Sequence, residues 1–289
     1  MCDEQTERDL KQFRDHALSR REFGKYTAVA GMAAMLPAVA NVLEVTESAV
    51  EVNTSDGVSD CYFVHPATGK HPGVLLWPDI LGLRPVFKDM GKRLAQSGYA
   101  VLVVNPFYRS AKAPVVPAGA SFGDPATRKR VFGMHGELTP EAQFADAKAY
   151  IGFLDQQSAV DKNRKIGTAG YCMGGPLIMR TAAAAAQRVG AAASFHGGGL
   201  ATDAADSPHR LIPATTARVL HAIAENDDQR SPDVKTVLRQ AYAEAGIQAE
   251  IEVYADTLHG WCVPGSPAYH EAQAERAWKR LLALLSASL

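Results

Sequence analysis

A cysteine set between glycines, an acid just past one strand-like run and a histidine just past another could together transfer an acyl group. Gly170-Tyr171-Cys172-Met173-Gly174-Gly175 is a Gly-x-nucleophile-x-Gly pattern with Cys in the place more usual for Ser. A strand that turns at once into a helix holds its nucleophile in strained backbone, and a side chain at the flanking positions would clash, so glycine is required there. The turn also leaves the sulfur at a helix N-terminus, where backbone N–H groups favour thiolate and oxyanion alike. Such a thiol needs a base to take its proton and an acid to hold the base's tautomer. His259 is the candidate base, in Ala255-Asp256-Thr257-Leu258-His259-Gly260-Trp261. Asp227 is the candidate acid, in Glu225-Asn226-Asp227-Asp228, with Asp228 and Asp256 as its rivals. His196, ahead of Gly197-Gly198-Gly199, and His221, inside a strand-like run, also merit attention; His65, His71, His135, His209 and His270 read as structural. The bland alternative is a buried cysteine beside a glycine-rich turn.

These groups need a frame that brings distant loops together. Residues 166–169 read as a buried strand running into Cys172, and an Ala-rich helix follows to residue 189. GVLLW, residues 73–77, is a short apolar run suited to a buried strand. Residues 78–85 form a loop that opens a helix through Gln96, Gly98 ends it, and residues 99–104 give another buried strand. Residues 58–65 alternate and predict an edge strand. Residues 110–135, rich in Pro, Gly, Ser and Lys/Arg, read as a long insertion covering a site. Residues 140–154 predict an amphipathic helix with Glu141, Asp146 and Lys148 outward. Strands over 191–195, 219–224 and 250–254, with helices over 234–245 and 268–285, complete an alternating series. The prediction is an α/β fold: one mostly parallel central sheet with helices on both faces, in a single domain over residues 45–289. Functional groups in such sheets gather at the carboxyl ends of the strands.

Composition narrows the class. The chain has 289 residues, 47% hydrophobic and 21% charged, an ordinary globular balance. Thirty basic residues against 31 acidic ones leave a net charge of −1, so no basic field invites nucleic acid. Cys2, Cys61, Cys172 and Cys262 lie far apart without a CxxC or metal-ligand spacing, which argues against a zinc framework or a disulfide scaffold. Residues 1–44 read as a leader. Ser19-Arg20-Arg21-Glu22-Phe23-Gly24-Lys25 resembles a twin-arginine motif, and an apolar stretch, Pro37 and the small-x-small Ala38-Val39-Ala40 follow it. That stretch is too short for an integral membrane segment. Recognition by export machinery and a periplasmic location are expected; the alternative is a helical extension on a cytoplasmic protein.

Residues 58–285 resemble the dienelactone hydrolase family, a Cys-using branch of the α/β-hydrolases. The matching residues are Pro78-Asp79-Ile80-Leu81-Gly82-Leu83, Gly98-Tyr99, Gly170-Tyr171-Cys172-Met173-Gly174-Gly175, Glu225-Asn226-Asp227 and His259-Gly260-Trp261. The order Cys172, Asp227, His259 is also the nucleophile–acid–base order of α/β-hydrolases. The resemblance implies hydrolysis of an enol-lactone or small ester with no metal or organic cofactor. It makes Cys172 the nucleophile, His259 the base and Asp227 the orienting acid, with the N–H groups of Met173 and Ile80 as oxyanion hole. Asp79 stands where the family has a Glu that takes the thiol proton, and is one methylene shorter. Arg109, after Tyr108, resembles a family Arg that binds a substrate carboxylate, and Tyr108 and Trp261 are expected beside the substrate. A second family Arg has no match in Trp261-Cys262-Val263-Pro264, which favours a broader or less charged ester. A general carboxylesterase or thioesterase, or a non-catalytic or thiol-redox protein with Cys262 as resolving thiol, are the alternatives.

Overall fold

Side chains that alternate along short buried runs build the frame. In the computed structural model, which describes residues 42–289, Gly73–Trp77 (β3) is buried throughout. Val74 and Leu76 enter one core while Leu75 and Trp77 enter another, as the period-2 geometry of a strand requires. The remaining strands are β1 (Val45–Thr54), β2 (Gly57–Pro66), β4 (Ala100–Val103), β5 (Ile166–Tyr171), β6 (Val189–Phe195), β7 (Arg218–Ala224) and β8 (Ala249–Tyr254). They form an eight-stranded sheet in the order β1-β2-β4-β3-β5-β6-β7-β8. The β1–β2 and β2–β4 pairs are antiparallel, and every pair from β4–β3 to β7–β8 is parallel.

Helices cover both faces. The α1 (Pro85–Gln96) and α7 (Glu271–Ser288) helices bury Phe87, Met90 and Leu94, and Trp278, Leu281 and Leu285, in the core that holds Val74. Opposite them lie α2 (Pro125–Gly136), α3 (Pro140–Gln156), α4 (Gly174–Ala184) and α6 (Val234–Glu244). The short α5 (Glu225–Arg230) follows β7 directly. No helix among the described residues is long and apolar enough to cross a membrane. The predicted leader, apart from residues 42–44, lies outside the described residues.

Two expectations need correction. Residues 58–65 are not an edge, because β2 is paired on both sides; the edge is β1, which pairs with β2 alone. Most β1 side chains are exposed, so no buried alternation marks it in the sequence. Asp146 does not face outward: it is fully buried within α3, where Arg109 and Tyr108 meet its carboxylate. The 110–135 insertion carries α2, whose Phe132 and His135 help line the cavity described next.

Candidate active site

Parallel register sets the position of Cys172. Trp77 lies opposite Gly170 and Tyr171 opposite Phe195, so the ends of β3, β5 and β6 align at one edge of the sheet. Cys172 then takes a left-handed backbone with φ 53°, and its N–H donates to the Phe195 carbonyl at 3.0 Å. That bond ties the strained residue to the sheet. The glycines around it are steric requirements. A Cβ on Gly170 would lie 2.1 Å from the Gly174 oxygen, and one on Gly175 would lie 2.5 Å from the Gly197 Cα. One on Gly174 would lie 2.7 Å from the Trp77 oxygen, so β3 closes tightly on the start of α4. Met173 is the N-cap of α4 and Ile80 sits in the loop after β3; both line one cavity with Cys172.

The loop after β8 brings in His259. Its N–H donates to Asn226 Oδ1 at 2.9 Å, which pins the loop to the start of α5. Gly260, with φ 97°, turns the chain immediately after it. The His259 ring donates from Nδ1 to Asp227 Oδ2 at 2.7 Å and also hydrogen-bonds Cys172. The rival acids are engaged elsewhere: both Asp228 oxygens accept from Lys235 Nζ at 2.6 Å, and Asp256 is exposed. Burial disfavours a charged His259, but the Asp227 carboxylate and the Cys172 sulfur outweigh it and push its pKa up to about 10. That balance favours the protonated ring, between a carboxylate and a sulfur. Behind it stands His196, its ring centroid 5.1 Å from that of His259 in an edge-to-face arrangement. Neither His196 ring nitrogen has a hydrogen-bond partner among the described residues. Burial, and after it the neighbouring His259, hold His196 well below its ordinary pKa, so it backs the His259 ring as a neutral imidazole.

The cavity at Cys172 measures about 460 Å³. Apolar Ile80, Phe132, Leu138, Met173 and Pro176 form much of its wall, and His135, Gln143, Arg180 and Asp206 add polar groups. Asp79, Tyr108, Arg109 and Trp261 are absent from that lining, which corrects their expected place beside the substrate. Asp79 accepts from both Arg84 Nη nitrogens, at 2.6 and 2.8 Å, and from the Leu81 N–H at 3.0 Å, so its carboxylate braces the loop. Arg109 grips Asp146 and Asp56, and Tyr108 bonds Thr54 and Asp146. Trp261 is fully buried against Tyr254, centroids 4.6 Å apart, in the core shared by α1 and α7. Cys262 belongs to that same core, and burial raises its pKa well above the ordinary thiol range, a poor setting for a resolving thiol.

The pattern of the dienelactone hydrolase family matches residues 59–289, most of the chain. The chain belongs to the dienelactone hydrolase family. A Salmonella typhi protein provisionally named carboxymethylenebutenolidase is 26% identical over 229 residues, 76% of this chain and 80% of that protein. A Methylorubrum extorquens protein of the same provisional name is 28% identical over 243 residues, 80% of this chain and 78% of its own. A Bradyrhizobium protein, named as a probable 2-oxo-3-(5-oxofuran-2-ylidene)propanoate lactonase, is 23% identical, covering 82% of this chain and 92% of its own. Among solved structures, a provisional dienelactone hydrolase of Klebsiella pneumoniae superposes with TM-score 0.72 at 22% identity, covering 84% of this chain and 99% of its own. That likeness confirms the fold: an α/β architecture on a mostly parallel eight-stranded sheet. As a member of this family the chain is a dienelactone hydrolase-like hydrolase.

Sequence reasoning passed over two residues of the cavity wall. His135 reads as structural in a loop-rich insertion, yet it stands half-buried within electrostatic reach of Cys172. Burial lowers its pKa, and the sulfur opposes that shift. Arg180 had a usable signal: it is the one charged residue in GGPLIMRTAAA, the mostly apolar helix that follows Cys172.

Proposed function

We propose that the protein hydrolyses an enol-lactone or small carboxylic ester through a Cys172 acyl-enzyme. The observation that carries this reading is the chain of contacts from Asp227 through His259 to Cys172 at the wall of an apolar cavity. The sulfur attacks the carbonyl carbon, forming a C–S bond, while the oxyanion is received by the N–H groups of Met173 and Ile80. Collapse breaks the C–O bond, and the departing alkoxide takes a proton from His259. Acylation also removes charge from the sulfur, and with it one of the causes that hold His259 protonated. The ring can then take a proton from water as it attacks the thioester carbon; collapse breaks the C–S bond, frees the acid and returns the sulfur as thiolate beside the imidazolium. The lactonase name of the Bradyrhizobium relative and the carboxymethylenebutenolidase names of the others support the substrate class.

The deciding experiment is turnover of 4-nitrophenyl acetate by wild-type protein and Cys172→Ala. Loss of at least about a thousandfold in kcat/KM is expected, since the members of such a unit act together; equal rates in both would refute the mechanism. A pH series sharpens it. Because the His259 pKa is raised, the imidazolium persists until pH passes about 10. For alkyl esters, whose alkoxide needs that proton, kcat/KM should decline above about pH 10, whereas 4-nitrophenyl esters, with a good leaving group, should not follow. Identical high-pH behaviour for both would remove His259 as the acid.

The twin-arginine-like leader supports a further proposal, that the protein is exported to the periplasm. Mass spectrometry of fractionated cells tests it: a shortened chain in the periplasm supports export, and an intact leader in the cytosol refutes it.

A further inference from the structure

The cavity at Cys172 has a charged wall that the acyl-transfer mechanism does not use. Arg180 lies in α4, on the helix whose first turn follows the nucleophile, and is 6% exposed. Its charge is poorly matched for so buried a position. Nη2 donates to the Asp206 backbone carbonyl at 3.0 Å, and the Asp206 carboxylate stands 3.7 Å away on a side chain that is 60% exposed. Nε has no hydrogen-bond partner among the described residues. Burial lowers the Arg180 pKa, and the pull of Asp206 and Glu141 does not make up the difference. A cation taken out of water without full pairing is costly to keep, and ion pairing by a ligand would offset that cost.

We propose that Arg180 determines specificity by binding a carboxylate at the far end of the substrate's acyl chain, remote from the carbonyl held at Cys172. This rests on the hydrolase reading above. From Gly174 to Arg180 the helix rises about 9 Å, six residues at roughly 1.5 Å each. Between the two ends the wall is apolar, with Ile80, Phe132, Leu138, Met173 and Pro176 suited to a hydrocarbon segment. The exposed Asp206 carboxylate is a loose counter-ion that an incoming acid displaces or shares. The ligand class is therefore an ester or lactone whose acyl part ends in an acid, with the hydrocarbon between its two ends lying along α4.

The test uses 4-nitrophenyl hemiesters of straight-chain dicarboxylic acids, from succinate to sebacate, beside counterparts whose free acid is capped as a methyl ester. The reading is the ratio of kcat/KM, acid over capped. In the full-length wild type the ratio should climb with chain length to tenfold or more, about the worth of one charge-assisted hydrogen bond. Arg180→Met should bring it close to one, and Asp206→Asn, which removes the competing carboxylate, should raise it. A wild-type ratio at or below one throughout, or a ratio that Asp206→Asn leaves unmoved or Arg180→Met leaves intact, overturns the proposal. Should Arg180→Met not fold, the wild type and Asp206→Asn decide. Turnover of neither ester would sink the hydrolase reading itself. The subsite is then judged by titrating suberate into Cys172→Ala and into Cys172→Ala/Arg180→Met: weaker binding in the double variant upholds it, and equal binding removes it.

Discussion

Arg109 and Arg180 are both largely buried guanidinium groups, yet they sit in opposite electrostatic settings. Arg109 makes a two-pronged contact with Asp146, both bonds 2.8 Å, and its Nε and Nη2 also reach Asp56. Its face lies over the Tyr108 ring, 4.5 Å from the centroid. Burial alone would lower its pKa, but Asp146 and Asp56 more than reverse this and raise it. Arg180 has one loose counter-ion, and burial prevails. The difference separates structural from functional charge. A guanidinium whose three nitrogens are all engaged holds the β1–β2 turn, the loop after β4 and α3 together and presents little to a ligand. One kept underpaired beside a cavity is available for recognition. Charge count alone does not distinguish the two; the inventory of partners does.

The largest test of this contrast is Arg109→Met. It strands the Asp146 carboxylate, which is fully buried, so a loss of about 3–5 kcal/mol is expected from urea denaturation. Replacing both members, Arg109→Met with Asp146→Leu, should recover most of that loss; a double variant no better than the single would show that packing, not the stranded charge, was at stake. Arg180→Met should behave differently, staying within about 1 kcal/mol of wild type or gaining stability, because it removes a desolvated cation that is only partly paired. A loss there as large as for Arg109→Met would erase the distinction. The smallest effect belongs to Asp56→Ala. Its side chain is 43% exposed and Arg109 keeps Asp146, so the denaturation midpoint should not shift resolvably.

Much of the site was legible because its parts are local. Gly170, Gly174 and Gly175 around Cys172 announce a turn that cannot carry a Cβ, and three close approaches show why. Asp227 and His259 were legible from their places after strand-like runs, and the Lys235 contact to Asp228 shows why that rival acid does not meet the ring. The loop acid Asp79 illustrates the limit: its position in the chain is right for reaching a thiol, but Arg84, five residues on, claims both of its oxygens. Asp146 misled for a related reason. On a helix wheel an acid reads as solvent-facing, and only the Arg109 and Tyr108 contacts, 37 and 38 residues away in the chain, make its burial tolerable. The β1 edge escaped notice because an exposed strand has no hydrophobic rhythm to detect.

The sequence by itself determined the sheet class, the glycine-flanked turn at Cys172 and the strand ends after which Asp227 and His259 fall. Each of these follows from short-range sterics or from hydrophobic period, and both are written in neighbouring residues. Tertiary structure decided which charges are spent on one another and which remain to meet a ligand. Pairing between charges depends on separations of a few ångströms between residues far apart in the chain, and the fold alone fixes those separations.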